Sequence, residues 1–219
     1  MATRELLAEL ADRAQGALGY AITAEAAGGV DVAKRVQAGE SFDVVVLSRE
    51  AIERLIESGR LLRESRVDLA KSGVAVAVRA GAPRPDITSE QAVKAAVLSA
   101  QSVSYSTGPS GVYLEKLFAR WGILEQIRAR IVVAPPGIPV GSLVAKGSAQ
   151  LGFQQLSELL HLAGIEVVGS LPESIQTITV FSGAIAATCV SPTLARALLD
   201  YMAAPETAAL KQSYGMDSV

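Results

Sequence analysis

Short apolar runs and amphipathic stretches alternate along almost the whole chain. Two continuous apolar runs, DVVVL at 43–47 and GVAVAVR at 73–79, are typical of strands that are buried on both faces of a sheet. Stretches with apolar residues at helical spacing lie between such runs, and the first of them opens at Ala2 or Thr3. The alternation predicts parallel sheets covered by helices, which is an α/β fold.

Ligands of such sheets bind beyond the carboxyl ends of the strands, so the strand positions indicate where a site is to be expected. Further strands are predicted at 20–24, 102–105, 131–134, 151–154, 165–171 and 177–190. The turns expected to face a ligand lie before Thr3, at 27–29, at Ser48, at 106–111 and at 154–155.

The stretch SVSYSTGPSGVYLEKLFARWGI at 102–123 is the most informative of these segments. It predicts a strand, a turn rich in hydroxyl groups, and an amphipathic helix stopped by Gly122. The free N–H groups of the first helical turn and the helix dipole favour an anion there, and Ser106, Thr107 and Ser110 add neutral donors. The alternative is ordinary N-capping by Ser110 or Thr107, with nothing bound.

Composition excludes several other classes of protein. The 219 residues are 50% hydrophobic and 19% charged, with a net charge of −2, and no Lys/Arg block provides the basic surface of a nucleic-acid binder. Cys189 and His161 are the only cysteine and histidine, so Cys/His metal sites and Ser-His-Asp catalysis have little to build on. We predict no metal and no cofactor.

The start of the chain, MATRELLAELADRAQG, is already an amphipathic helix pattern. It lacks the apolar core and cleavage site of a secretory signal, and no apolar run in the sequence is long enough to span a bilayer. As given, the chain is expected to be soluble and without an export address, which leaves its compartment open.

The order of several segments resembles the type 2 periplasmic binding proteins of the molybdate-binding kind. The segments are AGESFDVVVLS, VAVAVRAGAPRPDI, SYSTGPSGVYLEKLFARWGI, LVAKGSAQLGFQQLSELL and ALLDYMAAPETAALKQSYGM. The resemblance implies two Rossmann-like α/β lobes joined by hinge strands, with lobe one at 1–78 and 180–219 and lobe two at 79–179. It also implies a substrate-binding protein of an ABC transporter, in the periplasm, with a small anion held in the cleft between the lobes.

The chain departs from true molybdate binders at three positions of the resemblance. Ala2, the pair Gly28 and Gly29, and Gln155 stand where those proteins carry a serine, a serine and a tyrosine. A buried oxyanion oxygen left without its donor costs about 1–3 kcal/mol. The departures therefore favour another anion over molybdate.

The segments VRAGAPRPDI, SYSTGPSG and GFQQ are more similar to the aconitate isomerase-like branch of this superfamily, which implies a small polycarboxylate. Arg79 offers a planar fork matched to a carboxylate, and its alternative is a surface ion pair with Asp86 or a glutamate. Strand alternation directs one of Gln154 and Gln155 to the ligand and the other to the helix layer, and we expect Gln155 to be the contact.

The predicted ligand-binding residues share a position at a strand end or a helix start, apart from Arg79 near the lobe crossing. They are Ala2, Thr3, Gly28, Gly29, Ser48, Arg79, Ser106, Thr107, Ser110 and Gln155. Members of the family begin with a strand before the helix that matches RELLAELADRAQG, so lobe one is expected to have a gap in its sheet. Either the start of the chain is set too late, or something else fills the gap, such as a strand from a second copy, which predicts a homo-oligomer; an unfilled gap would weaken local stability.

Two functions remain open from the sequence. A binder that captures a small anion for ABC transporter membrane subunits needs only donors and a hinge. An isomerase of a polycarboxylate such as aconitate also needs a base with a tuned pKa, and the residue types available are Tyr105, Tyr113, Asp86 and Lys146. No helix-turn-helix precedes the fold, which argues against a transcription regulator. Whether the protein is an enzyme, and which residues would be catalytic, stays undecided at this point.

Overall fold

The computed structural model describes residues 2–135 and 137–219 as an alternation of helices and strands. The α-helices are α1 (Arg4–Leu18), α2 (Gly29–Gln37), α3 (Arg49–Glu57), α4 (Glu90–Ser99), α5 (Pro109–Arg120), α6 (Leu124–Ile127), α7 (Val140–Ala145), α8 (Leu156–Leu159), α9 (Pro192–Ala203) and α10 (Ala208–Ser213). The strands are β1 (Val44–Ser48), β2 (Val67–Arg79), β3 (Val103–Ser106), β4 (Ile131–Ala134), β5 (Leu151–Gln155), β6 (Ile165–Ser170) and β7 (Ile178–Ile185). This is the mixed α/β architecture that the apolar pattern predicts.

The chain folds into two compact units. Unit one contains residues 2–71 and 179–219, and unit two contains the described residues of 72–178. Strands β2 and β7 each run from one unit into the other. The first crossing lies between Lys71 and Ser72, earlier than the boundary after residue 78 that the sequence suggested, because β2 begins at Val67 and its first residues belong to unit one.

Unit two is built on a mixed sheet. Strand β3 pairs in parallel with β4 on one side and with β5 on the other. Strand β2 pairs antiparallel with both β5 and β6. The prediction of wholly parallel sheets is therefore corrected at β2, which enters the unit from the opposite direction.

The core of unit two lies between this sheet and helices α4 and α5. Phe118 of α5 is fully buried, and its ring centroid lies 6.1 Å from those of Tyr105 and Phe153. Leu114 and Leu117 complete the buried face of α5. Aromatic rings bury large apolar areas, and tilted or edge-on pairs add about 0.5–1.5 kcal/mol each. This packing holds α5 against the strand that precedes it.

Unit one contains the antiparallel pair of β1 and β7, with Val44 opposite Ile185 and Ser48 opposite Phe181. One face of β1 carries Val45 and Leu47, which pack with α2 and α3. The other face belongs to a cluster with residues of α1 and α9. Strand β1 is thus buried on both faces, as its continuous apolar run predicts.

Residues 20–24, which the sequence predicts as a strand, are not a strand in the structure. Tyr20 instead donates its hydroxyl to the carbonyl of Leu194 at 2.8 Å, and the backbone N–H of Ile22 donates to the side chain of Gln15 at 3.1 Å. Among the described strands β1 pairs only with β7, so this segment does not pair with β1. The segment is held by helices instead.

Helix ends follow the expected chemistry at some positions. Ser89 caps α4, with its hydroxyl accepting from the N–H of Ala92 at 3.2 Å. Helix α8 is short and ends at Leu159. None of the helices in the described parts of the chain has the length and apolar character that crossing a membrane requires.

Helix α10 places a lysine inside unit one. Lys211 is 1% exposed, and its Nζ has no hydrogen-bond partner within residues 2–135 and 137–219. Burial lowers the pKa of this amine. A buried polar group without a partner costs about 1–3 kcal/mol. The folded state therefore carries a penalty at Lys211 that a methionine would remove.

We expect Lys211→Met to raise the free energy of unfolding at pH 7 by roughly 1 kcal/mol or more. The lowered pKa means that the unfolded chain binds more protons, so wild-type stability rises with pH between the folded pKa and about 10.4. The advantage of the variant shrinks over the same pH range. Urea unfolding at a series of pH values measures both effects. The matched control is Lys116→Met on an exposed face of α5, and a lower stability of Lys211→Met at pH 7 would contradict the expectation.

Candidate functional site

The parallel strands of unit two end together at one edge of its sheet, which we call the carboxyl edge. Ser106 at the end of β3 is opposite Ala134 at the end of β4. Ser104 is opposite Gly152 of β5, and continuing this register brings Thr107 level with Gln155. Helices α5, α7 and α8 begin after these strand ends. The edge therefore gathers three helix starts, which is the usual place of a ligand in an α/β sheet.

The turn from β3 to α5 is tightly closed. The hydroxyl of Ser106 accepts from the backbone N–H of Gly108 at 3.3 Å, and Gly108 is the N-cap of α5. A Cβ at Gly111 would lie 1.6 Å from the carbonyl oxygen of Ser106, so only glycine fits there. Thr107 is exposed, and Ser110 is 2% exposed. Backbone contact, rather than a side-chain cap, sets the approach of α5 to the strand.

The first turn of α5 presents backbone donors. Pro109 occupies the first helical position and has no N–H, and the next two residues, Ser110 and Gly111, are buried. No acceptor for their N–H groups occurs in the part of the chain that the structure describes. Buried N–H groups are nearly always paired, and the helix dipole favours negative charge at this end. The turn therefore suits an anionic acceptor better than the capping alternative, in which a side chain satisfies it.

Gln154 and Gln155 end β5 and have different surroundings. The side-chain oxygen of Gln154 accepts from the N–H of Val140 at 2.8 Å, and its amide donates to Glu158 at 2.7 Å. Gln154 thus links β5 to the starts of α7 and α8. Gln155 is 3% exposed and lies opposite Val74 of β2. Gln154 is the glutamine of the pair that faces the helices.

Glu158 is a residue of the carboxyl edge that the sequence did not single out. It lies in the first turn of α8, and its carboxylate accepts the hydrogen bond from Gln154. Burial raises the pKa of this carboxyl, while the bond from Gln154 acts in the opposite sense. The spacing of a glutamate three residues after the N-cap Gln155 is the signal that could have identified it.

Arg79 lies at the other edge of the sheet, so its prediction as a contact beside Gln155 is corrected. Strand β2 runs antiparallel to β5, with Val74 opposite Gln155 and Ala77 opposite Gly152. At about 3.3 Å per residue, Arg79 is roughly 17 Å along the sheet from the level of Gln155. Its guanidinium Nη1 lies 3.9 Å from the Cβ position of Gly147, after α7. The alternative pairing with Asp86 is not formed either, because Asp86 accepts from Thr88.

In unit one, Ser48 ends β1 and is followed at once by α3. Its side chain makes no capping hydrogen bond to the helix. A Cβ at Gly29 would lie 3.6 Å from the side chain of Leu47, so the start of α2 lies beside the end of β1. Thr3 is the N-cap of α1, also without a side-chain bond, and Ala2 packs against the cluster of α1 and α9.

Gly28 has an acidic neighbour that the sequence analysis did not consider. A Cβ at Gly28 would lie 3.0 Å from a carboxylate oxygen of Asp31, which is in the first turn of α2. A carboxylate at this place already interacts with the positive end of the helix dipole. It also repels a second anion. Gly28 and Gly29 are therefore less suited to contact an anion than the start of α5.

A charged network lies beneath the start of α3. Asp68 accepts from Ser182 at 2.6 Å and from Arg49 at 2.5 Å. Burial raises the pKa of Asp68, but the bonds from Ser182 and Arg49 outweigh it and lower the pKa overall. Arg49 directly follows Ser48, so this network fixes the first helical residue after β1.

The residues that the sequence suggests as bases for an isomerase either make other contacts within the fold or lie away from the carboxyl edge. Tyr113 donates to the carbonyl of Ile175 at 2.7 Å, and Tyr105 packs in the core with 6% exposure. Asp86 holds Thr88. Lys146 follows the end of α7, on the side of Arg79. His161 is exposed and lies outside α8.

We expect Gly111→Ala to destabilise the protein by about 2 kcal/mol or more, because the new methyl group cannot fit against the Ser106 carbonyl without moving α5. Gly16→Ala is the matched control, since a Cβ at Gly16 of α1 meets nothing within 4 Å. The control should gain about 0.5–1 kcal/mol. Denaturant unfolding of both variants measures the difference, and equal stabilities would show that the turn is not closed in this way.

Comparison with known proteins agrees with this architecture. The family model described as bacterial extracellular solute-binding protein matches residues 1–217. An aconitate isomerase of a Pseudomonas species is 43% identical over 189 residues, which cover 86% of this chain and 72% of that protein.

Solved structures show the same fold at lower identity. The periplasmic molybdate-binding protein of Azotobacter vinelandii superposes with a TM-score of 0.79 at 22% identity, covering 98% of this chain and 94% of that one. The tungstate ABC transporter structure of Geobacter sulfurreducens superposes with a TM-score of 0.74 at 15% identity, covering 96% of this chain and 93% of that one. The resemblance to type 2 periplasmic binding proteins is thereby confirmed, and the chain belongs to the family of bacterial extracellular solute-binding proteins.

Proposed function

We propose that this protein is the substrate-binding component of an ABC-type transport system, and that it captures a small carboxylate rather than molybdate. The observation that carries the proposal is the start of α5, where the buried N–H groups of Ser110 and Gly111 have no acceptor in the described residues. An anion supplies acceptors without requiring a counter-charge. The ligand would use the donors at the carboxyl edge of unit two.

The choice of a carboxylate rests on the donors present. Thr107 is exposed at the edge of unit two, and Gln155 ends β5 at the same edge. Both side chains are neutral, and a glutamine amide is able to donate to a carboxylate oxygen. The departures from molybdate binders at Ala2, Gly28 and Gln155 leave a tetrahedral oxyanion with fewer matched donors. The 43% identical aconitate isomerase supports a polycarboxylate as the class of ligand.

The second candidate function is isomerisation of a small polycarboxylate such as aconitate. The same relative favours it, and so does the carboxyl group of Glu158 at the edge where the donors lie. Binding and turnover use the same site, so an isomerase would also bind its substrate tightly enough to be detected. The two functions differ only in whether the bound molecule is changed.

A thermal-shift screen of molybdate, sulfate, and mono-, di- and tricarboxylates tests the proposal. Stabilisation follows RT ln(1 + [L]/Kd), about 2.7 kcal/mol at a hundredfold excess over Kd. We expect a polycarboxylate to raise the unfolding midpoint and Gln155→Ala to weaken its binding at least tenfold. Arg79→Ala is the control and should bind as the wild type, because Arg79 is at the far edge. The proposal is contradicted if molybdate alone raises the unfolding midpoint, or if none of the anions raises it.

We further propose that two copies associate through β1. Among the described strands its outer edge has no partner, and its sequence VVVLS contains no charge and no proline to block pairing. A second β1 could pair antiparallel about a two-fold axis. Light scattering after gel filtration should then give about twice the chain mass of 22.7 kDa. A single species at the chain mass over a wide concentration range excludes this association.

A further inference from the structure

We propose that Glu158 is the proton-transferring residue of this site, acting on a methylene group next to a carboxylate of the bound tricarboxylate. The inference rests on the second candidate function of the preceding section. Helix α8 starts directly after β5, so Glu158 lies at the carboxyl edge with Gln155 as its helix's N-cap. Strand β3, which leads to the donors of α5, is the direct neighbour of β5, about 4.8 Å away.

The position of the Glu158 carboxyl is fixed by a buried side chain. Gln154 is 2% exposed, and its amide donates to Glu158 Oε2 at 2.7 Å. The oxygen of the same amide is held by the N–H of Val140 at 2.8 Å, so Gln154 cannot rotate without losing both bonds. Glu158 itself is half-buried. A base held in this way pays little reorganisation when a substrate arrives.

The electrostatic surroundings support the role. Burial raises the pKa of Glu158, which brings a carboxyl closer to the range in which it can both take and return a proton. The other acidic and hydroxyl groups considered earlier are committed to the fold, as Asp86 is to Thr88 and Tyr113 to Ile175. Glu158 is therefore the titratable group that the described part of this edge offers for proton transfer.

The chemistry balances without a further reactant. The Glu158 carboxylate takes a proton from the methylene carbon, and the C–H electrons form a new C=C bond to the central carbon. The electrons of the old double bond move onto the adjacent carboxylate-bearing carbon. That carbon takes the proton back from Glu158, so one C–H bond breaks, one forms, and the double bond moves by one position. The N–H groups of Ser110 and Gly111 are suited to stabilise the negative charge that develops on the carboxylate.

The experiment follows trans-aconitate in D₂O by proton NMR, together with its thermal shift on the same samples. The wild type should exchange the methylene and vinyl protons for deuterium and form the cis isomer. Glu158→Gln should bind trans-aconitate with a thermal shift like that of the wild type but exchange at least a hundredfold more slowly, since general acid–base groups contribute about 10²–10⁴. Glutamine can still accept the hydrogen bond from Gln154. If Glu158→Gln unfolds, Glu158→Asp replaces it, because aspartate keeps the carboxyl group but holds it one methylene further from the substrate, so exchange should again be slower.

The control variant is Glu173→Gln, an exposed glutamate of unit two, which should exchange at the wild-type rate. Exchange by Glu158→Gln at the wild-type rate overturns the role of Glu158. A wild type that is stabilised by trans-aconitate yet neither forms the cis isomer nor exchanges a proton overturns it as well, and leaves the binding function standing. If no carboxylate stabilises the wild type and no proton of trans-aconitate is exchanged, both the role of Glu158 and the proposed carboxylate binding are overturned.

Discussion

Parallel pairing of β3 with β4 and β5 is the constraint on which the site of unit two depends. Parallel strands require a crossover after each strand, and here the crossovers begin with α5, α7 and α8. Each helix start is therefore delivered to the same edge of the sheet. The helices' unpaired N–H groups accumulate where the strands end, and the chemistry of the edge follows from the fold rather than from any single motif.

Backbone contacts and buried side-chain amides, rather than ion pairs, position the helix starts at this edge. Gly111 lets α5 approach the Ser106 carbonyl, and Gln154 joins β5 to the starts of two helices. Both arrangements satisfy the local polar groups while leaving the donors at Ser110 and Gly111 without a protein acceptor in the described residues. Preorganised backbone donors of this type can select an anion by their geometry.

The two units differ in what their edges offer. Unit two presents unpaired donors and Glu158, whereas the helix start at Gly28 in unit one already has the carboxylate of Asp31 beside it. The cation that follows β1, Arg49, is bound by Asp68. If the protein captures a carboxylate, as proposed, unit two would supply most of the donors that bind it. Membership of the solute-binding family is compatible with either a binder or an isomerase, because the fold itself does not decide function.

The sequence by itself determined the local elements and the turns at which a ligand is expected. The runs at 43–47 and 131–134 and the strand–turn–helix at 102–123 are local patterns, and the structure contains each of them. It also determined the family, through the order of its segments, whereas the strand predicted at 20–24 failed because a strand needs a neighbour that no local pattern supplies. Only the tertiary structure decided that β2 runs antiparallel to β5, which moves Arg79 away from Gln155. It also decided that β5 lies parallel to β3 and that Gln154 bonds to Glu158 at the carboxyl edge. The physical reason is that strand direction and register arise from contacts between residues far apart in the chain, and these contacts decide which side chains share a site.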